Sequence, residues 1–221
     1  MARAQKAPRL HIVVTAGPTR EYIDPVRYMS NESSGLMGFS IADAAARAGH
    51  RVTLVAGPVS LDTPRGVTRV DVVSARDMLR AVRSAFATAD ALYMAAAVAD
   101  WRPARKLAGK WRLKDTGAES TNLQLVRNPD ILATVARRKA KRLVVGFALE
   151  TGAGVSRAKV KLKKKNADFV VLNSTSALNA ARTTVTIIGT DGKARTMRNR
   201  TKGAVARALV GLLAEVTRQP A

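Results

Sequence analysis

Between Val13 and Gly38 the chain reads VVTAGPTREYIDPVRYMSNESSGLMG. Two guanidinium groups (Arg20, Arg27), the Asn31 amide and a Ser33-Ser34-Gly35 turn crowd into one loop between an apolar run and an alanine-rich helical pattern. These types suit an anion. Free backbone N–H groups and the positive end of a helix dipole favour phosphate or carboxylate at a helix start. Gly17 lets the backbone approach a ligand, and Gly35 and Gly38 lead into the helix. The competing reading is that Gly35 and Gly38 only permit close packing of helix on sheet. No known phosphate-loop spacing fits, and two arginines and an asparagine in the same loop favour binding of a phosphate or a carboxylate.

Two further segments carry chemistry. In AAAVADWRP (Ala95–Pro103), small side chains at a strand end let a ligand lie against backbone, and Asp100 is placed to accept from a polar group or to help position a metal. In NPDIL (Asn128–Leu132) a capped helix start presents N–H groups. Cysteine is absent and the two histidines, His11 and His50, lie far apart, so thiolate or imidazole catalysis and a zinc site are not expected.

These segments need elements to hold them, and the apolar patterning supplies them. LHIVVT (Leu10–Thr15), RVTLVAG, ALYMAAAV, RLVVGFAL and DFVVLN read as buried strands. GFSIADAAARAGH (Gly38–His50), SARDMLRAVRSAFATA (Ser74–Ala89, with a Ser cap and Asp three residues on), PDILATVARRK with proline in its first turn, SRAKVKLKKKNA and TKGAVARALVGLLAEVTRQ read as helices. TTVTIIGTDGKARTM has the alternation and Asp-Gly turn of a hairpin. Alternation of this kind predicts an α/β fold, a mostly parallel sheet covered by helices on both faces, broken by one hairpin. Ligands in such sheets bind beyond the carboxyl ends of strands, which singles out Gly17, Ala95–Asp100, Phe147–Thr151 and Asn173.

The chain has 221 residues, 47% of them apolar, enough for one large α/β domain. The longest apolar run, Ala89–Val98, contains Asp90 and is too short to span a bilayer. The basic-then-apolar start reads as a tail over residues 1–8 and a first strand, not as a leader, so no membrane and a cytoplasmic location are expected. Lys plus Arg number 38 against 16 Asp plus Glu, a net charge of +22, which raises nucleic-acid binding. Much of it sits in RRKAKR, RAKVKLKKK and KARTMRNRTK. Aromatics are only 4% and are not interleaved with these runs. Solvated basic faces and phosphate-binding lysines explain the charge better than base readout, and nucleic acid is expected to bind only non-specifically.

Taken in order, AGPTRE, DPVRYMSN, SSG, AAAVADWRP, a basic run, NPDIL, VGFALET and a Lys-rich helix resemble phosphopantothenoylcysteine synthetase, the phosphopantothenate–cysteine ligase of coenzyme A biosynthesis, in its bacterial form. The resemblance is clear from Leu10 to Asn173 and looser beyond. It implies a single Rossmann-like three-layer ligase domain over residues 1–221. It also implies a homodimer built on the hairpin near residues 183–197, whose TVTII strand is too apolar for an open edge. In bacteria the ligase is often fused to a flavin-dependent decarboxylase. Met1 lies just before the first ligase strand, so that activity is expected on a separate partner chain.

The family reaction has two steps. The carboxylate of 4′-phosphopantothenate attacks the α-phosphate of CTP, giving an acyl-cytidylate and pyrophosphate, and the amine of L-cysteine then displaces CMP. A carboxylate nucleophile needs no strong base, and Mg²⁺, lysines and helix N-termini are the expected catalysts. By resemblance, Asn31 binds the acyl carboxyl with Arg27 in support, Ala96 belongs to the close-approach strand end, and Lys110 meets the triphosphate. The nucleotide lies along Met94, Ala95, Asp100, Pro129, Asp130, Ile131, Leu132 and Phe147. Lys161 and Lys165 face its cytosine or phosphate side. Gly17, Ser33, Gly35 and Gly38 form the phosphate cradle. Three positions depart from the family pattern: Lys110-Trp111-Arg112-Leu113 with Lys114 one place late, Glu32 beside Asn31, and Met94 at the strand end. Rival readings are an ATP-using form of the ligase and a basic nucleic-acid-binding protein on a ligase scaffold. The bacterial wording of AGPTRE and NPDIL favours CTP, and the joint presence of Asn31, Asp100 and Lys110 argues against a mere binding module.

Overall fold

The computed structural model describes residues 8–112, 120–150, 154–174 and 182–217. Leu113 and Lys114 of the basic run, Thr151, and most of the basic tail lie outside these. In chain order the elements are β1 (His11–Ala16), β2 (Arg20–Tyr22), β3 (Tyr28–Ser30), α1 (Leu36–Arg47), β4 (Arg51–Ala56), β5 (Val67–Asp71), α2 (Ala75–Phe86), β6 (Ala91–Met94), β7 (Trp101–Pro103), β8 (Leu125–Arg127), α3 (Ile131–Ala136), β9 (Leu143–Glu150), α4 (Gly154–Lys164), β10 (Phe169–Ser174), β11 (Arg182–Gly189), β12 (Ala194–Thr201) and α5 (Lys202–Thr217).

One eight-stranded sheet runs β12-β11-β10-β9-β6-β1-β4-β5. From β5 to β10 all pairings are parallel, and β11 and β12 are antiparallel. Counted among the parallel strands alone, this is the doubly wound order 3-2-1-4-5-6, whose direction of winding reverses between β1 and β6. β1, HIVVTA, is buried at every position, as a central strand covered on both faces must be. Ile12 and Val14 pack with α1 and α5, whereas Val13 packs with α2, α3 and α4. The Tyr93 hydroxyl donates to the Leu209 carbonyl at 2.9 Å and so ties α5 to the sheet.

Several expectations change. The alternation of strands and helices missed five short strands. β5 contributes five residues to the sheet edge, none of them buried. β2 pairs with β3 and β7 with β8 as two separate ribbons, each strand only three residues long, too short to show alternation. The strand read as ALYMAAAV stops at Met94 because Ala95–Ala99 turn aside toward the chain after β1, where Ala97 N–H donates to the Gly17 carbonyl at 2.9 Å. Pro129 is not in the first turn of α3. Asp130 is the N-cap, accepting from the Ala133 N–H at 2.9 Å, a bond that proline has no side-chain atom to make. The apolar TVTII segment is not on an open edge either. β11 is sandwiched between β10 and β12, and Val185 and Ile188 are fully buried within the chain. The argument for a dimer therefore loses its premise. The outer strand is instead β12, nearly all exposed and studded with arginines, which suits an unpaired edge.

Candidate functional site

Two cavities of about 610 and 590 Å³ lie beyond the carboxyl ends of β1, β6 and β9, at the reversal point of the sheet. They share a rim made by Ala96, Val98, Asp100, Phe147 and Lys161. The first continues along Met94, Arg127 and the segment Asn128–Leu132 to Lys164 and Lys165. The second runs from Asn31 through the start of α1 to Leu149, Asn173 and Lys202.

The shared rim is a loop without regular pairing, so its backbone needs partners. Buried hydroxyls supply them. Thr15 accepts from the Ala96 N–H at 3.1 Å and Thr19 accepts from the Ala99 N–H at 3.0 Å, both threonines being fully buried. The Asn31 amide donates to the carbonyls of Val98, at 3.1 Å, and Ala97, at 3.4 Å. Asn31 therefore grips the strand-end loop while lining the second cavity. On the other side the Asn128 N–H donates to the Asp100 carbonyl at 2.8 Å, and its side-chain amide donates to the Ala99 carbonyl at 2.9 Å.

The start of α1 fits an anion. Gly35 is its N-cap at φ 78° with no side chain capping it, and no acidic residue lies in the first turn, so the turn N–H groups face the second cavity uncapped. Gly38 serves packing as well. A Cβ there would stand 2.5 Å from the Ala16 Cβ and 2.7 Å from the Thr15 carbonyl oxygen. Gly17, at φ 74°, lines neither cavity. Its Cβ would meet Val59 at 2.9 Å, so it serves chain direction and close packing rather than the cradle. Ser33 and Glu32 both line the second cavity.

In the first cavity Lys161 donates to the Phe147 carbonyl at 2.6 Å, and Lys165 pairs with Asp130. Burial pushes the Asp130 carboxyl up, but hydrogen bonds from Lys165 and the Ala133 N–H and the charges of Lys165 and Lys161 outweigh it and hold the group below the usual carboxylate range. The NPDIL helix start is thus already capped and paired by Asp130. Asp100 is exposed and makes no ion pair among the described residues. Lys202, at the start of α5, lines the second cavity, and burial lowers its pKa.

Arg27 and Lys110 line neither cavity. Arg27 is held by Asp24 at 3.2 Å and by the Trp111 carbonyl, one residue beyond Lys110. Asp24, without exposed surface, also accepts from the N–H groups of Val26 and Arg27, each at 2.7 Å, and of Trp111 at 3.1 Å. Burial raises its pKa, but those three N–H groups and the Arg27 charge more than offset this and keep it ionised. The β2–β3 ribbon and the Lys110 loop thus share one buried carboxylate. Thr15, Thr19, Asp24 and Lys202 escaped the sequence reading. A buried hydroxyl or carboxylate that satisfies a loop leaves no periodic signal.

The sequence matches, over residues 8–216, the family described as DNA/pantothenate metabolism flavoprotein C-terminal domain. The chain belongs to that family. Its relatives include the coenzyme A biosynthesis bifunctional proteins CoaBC of Vibrio parahaemolyticus, 44% identical over 187 residues (82% of this chain, 47% of the relative), and of Escherichia coli, 49% identical over 168 residues (76% and 41%). The chain thus spans less than half the length of these curated relatives. The crystal structure of the C-terminal domain of a CoaBC protein superposes with a TM-score of 0.83 at 38% identity, covering 98% of this chain and all of that one. A Cab2 mutant in complex with phosphopantothenate-cysteine shares the fold at 18% identity and a TM-score of 0.79, covering 95% of this chain and 87% of that one. Within this flavoprotein C-terminal domain family, the eight-stranded sheet with its antiparallel hairpin is the expected α/β architecture. Among the described residues no group of three or more His, Cys, Asp or Glu is placed to hold a metal, and no helix is long and apolar enough to cross a membrane.

Proposed function

We propose that this domain joins 4′-phosphopantothenate to L-cysteine at the expense of a nucleoside triphosphate, CTP by preference, through an acyl-cytidylate. The observation that carries this reading is the pair of adjoining cavities, one basic along Lys161, Lys164 and Lys165, the other opening on an uncapped helix start, meeting at Ala96. Two anionic substrates bound side by side would bring their reacting ends to that rim. The relatives' names, the coenzyme A biosynthesis proteins, support the same assignment.

In this reading the phosphate of 4′-phosphopantothenate sits on the N–H groups of the α1 start, and its carboxylate points toward Asn31 and Ala96. The carboxylate oxygen forms a bond to the α-phosphorus of CTP, and the bond to pyrophosphate breaks. Lys161 and Lys165 neutralise charge on the phosphoryl oxygens. The cysteine amine then bonds to the acyl carbon, CMP leaves, and the amine gives up a proton to solvent or to the departing phosphate. No step calls for a His or Cys. Mg²⁺ usually keeps several waters and binds through one or two carboxylates plus substrate phosphates. Asp100, exposed at the rim of both cavities, fits that role, and the ion would supply charge neutralisation at the phosphates.

The test is pyrophosphate release with 4′-phosphopantothenate and each nucleotide, with and without cysteine. Pyrophosphate should require the acid, and the amide should appear only when cysteine is added. CTP should exceed ATP by at least about tenfold in kcat/KM, about 1.4 kcal/mol and within the roughly 1–3 kcal/mol cost of leaving one buried polar edge unpaired. Absence of pyrophosphate with every nucleotide would overturn the assignment.

A further inference from the structure

We infer that the basic cleft between α2 and α3 is a docking surface for the phosphodiester backbone of a nucleic acid, read without sequence preference. A cavity of about 370 Å³ opens there, lined by Arg83, Arg137, Arg138 and Arg142 with Phe86 and Thr134, and no acidic residue lines it. α2 ends at Phe86 and leads through a short turn into β6 at Ala91, and α3 ends at Ala136 ahead of β9 at Leu143, so the cleft lies at the amino edge of the sheet, away from the two substrate cavities.

Cations at helix C-termini have an ordinary use, neutralising the last carbonyls. Arg142 fills it. Its guanidinium donates to the carbonyls of Lys139, Phe86 and Arg138 and covers the Phe86 ring at 4.2 Å. Arg83, Arg137 and Arg138 are exposed and make no ion pair or side-chain hydrogen bond with a described residue. The nearby carboxylates are engaged elsewhere: Asp90 with the His11 N–H, Asp168 with Lys139.

The shape of the charge selects the occupant. Arg76, Arg80 and Arg83 share the solvent face of α2, opposite the buried Met78, Val82 and Phe86, and lead into the cleft. At 1.5 Å per residue that row spans about 10 Å, a length that suits successive phosphates of a strand better than one isolated phosphate. Only Arg80 has a carboxylate partner, Asp77, which also caps the helix. Phe86 is only 3% exposed and lies under Arg142, so no ring is offered to a base, and readout stops at the backbone. A membrane surface would need an apolar anchor beside the cations, and none of the exposed large hydrophobic residues lines the cleft.

Fluorescence anisotropy of a labelled 20-base-pair duplex, titrated with the intact chain between about 50 and 200 mM salt, tests this. The wild type should bind, with log Kd rising linearly against log salt. Replacing Arg83, Arg137 and Arg138 together by Ala should weaken binding at least tenfold at 50 mM salt and lower the slope by roughly 2 to 3, about 0.9 per lost contact. A control triple, Lys159, Arg198 and Arg200 to Ala, removes the same charge from other faces and should keep the slope. Equal losses in both triples would assign binding to the overall field and overturn the cleft. So would absence of duplex binding by the wild type, capture of anionic phosphatidylglycerol vesicles in place of duplex, or competition by tripolyphosphate at equal phosphate concentration as effective as unlabelled duplex. Thermal melting of each variant checks folding, and Arg83→Gln alone should lower the slope by about 1.

Discussion

Asn31 shows how one side chain can be both scaffold and reagent. Its amide donates to the Val98 carbonyl at 3.1 Å and only loosely to Ala97 at 3.4 Å, so one hydrogen clasps the loop bearing Ala96 while the other is the donor proposed to meet the acyl oxygen. Asn31→Asp keeps the size, removes the donor and sets an anion against two carbonyl oxygens and the developing oxyanion. Amide formation should fall by about a hundred- to thousandfold, the usual cost of one such donor. Asn31 is exposed, so unfolding free energy should change by less than about 1 kcal/mol. If the second step suffers more than the first, acyl-cytidylate accumulates, visible by mass spectrometry of a quenched mixture. A variant forming amide at the wild-type rate would remove Asn31 from the reaction. Asp24 does its work without reaching a cavity. It binds the Trp111 N–H and the Arg27 guanidinium together, which makes Arg27 a positioning residue for the Lys110 loop in this structure.

At the scale of elements, the α1–β1 contact governs the site. Gly38 brings the first turn of α1 onto Ala16 and Thr15, and Thr15 in turn holds the Ala96 N–H. A methyl group at Gly38 has no room, since the nearest obstacles are a backbone carbonyl and a Cβ rather than the tip of a flexible side chain. Gly38→Ala should therefore cost about 1–3 kcal/mol, the range for overpacking, read as a shift of the urea midpoint at constant slope, and activity should fall with it as α1 is pushed off the strand ends. An unchanged midpoint would mean that helix and sheet separate more easily than this packing implies. The capping box at Ser74 and Asp77 shows the opposite situation, an element whose start was legible. The hydroxyl accepts from the Asp77 N–H at 3.2 Å, and the carboxylate accepts from the Ser74 N–H at 2.9 Å.

For the molecule as a whole, the surplus of +22 charges opposes compaction, and a small set of carboxylates works against it. Asp24, Asp77 and Asp130 are all held below the ordinary carboxylate range in the fold. A depressed folded pKa contributes stability that is present above the unfolded value, near 3.9, and lost as pH falls through the folded one. The Tm should therefore slip slightly below about pH 6.5, where burial of His50 lowers its folded pKa and protonation favours the unfolded chain, and then drop steeply below about 4. At neutral pH, raising salt from about 10 to 150 mM, which shortens the screening length from roughly 30 to 8 Å, should raise the Tm. A Tm that falls with salt at pH 7 would mean that attractive pairs dominate the surface. The sequence alone determined the class of fold, the long strands, the α2 cap and the segments that meet at the carboxyl edge, because these rest on periodicity and on local backbone chemistry. It also carried the family, since the loop from Gly17 to Gly38 is a long and specific motif. Only the tertiary structure decided that Ala95–Ala99 leave the sheet, that Thr15 and Thr19 satisfy them, that Gly38 answers to Ala16, and that β11 is covered inside its own chain. Those facts depend on which residues distant in sequence supply a buried donor or occupy the space where a side chain would have to go, and no local pattern encodes that.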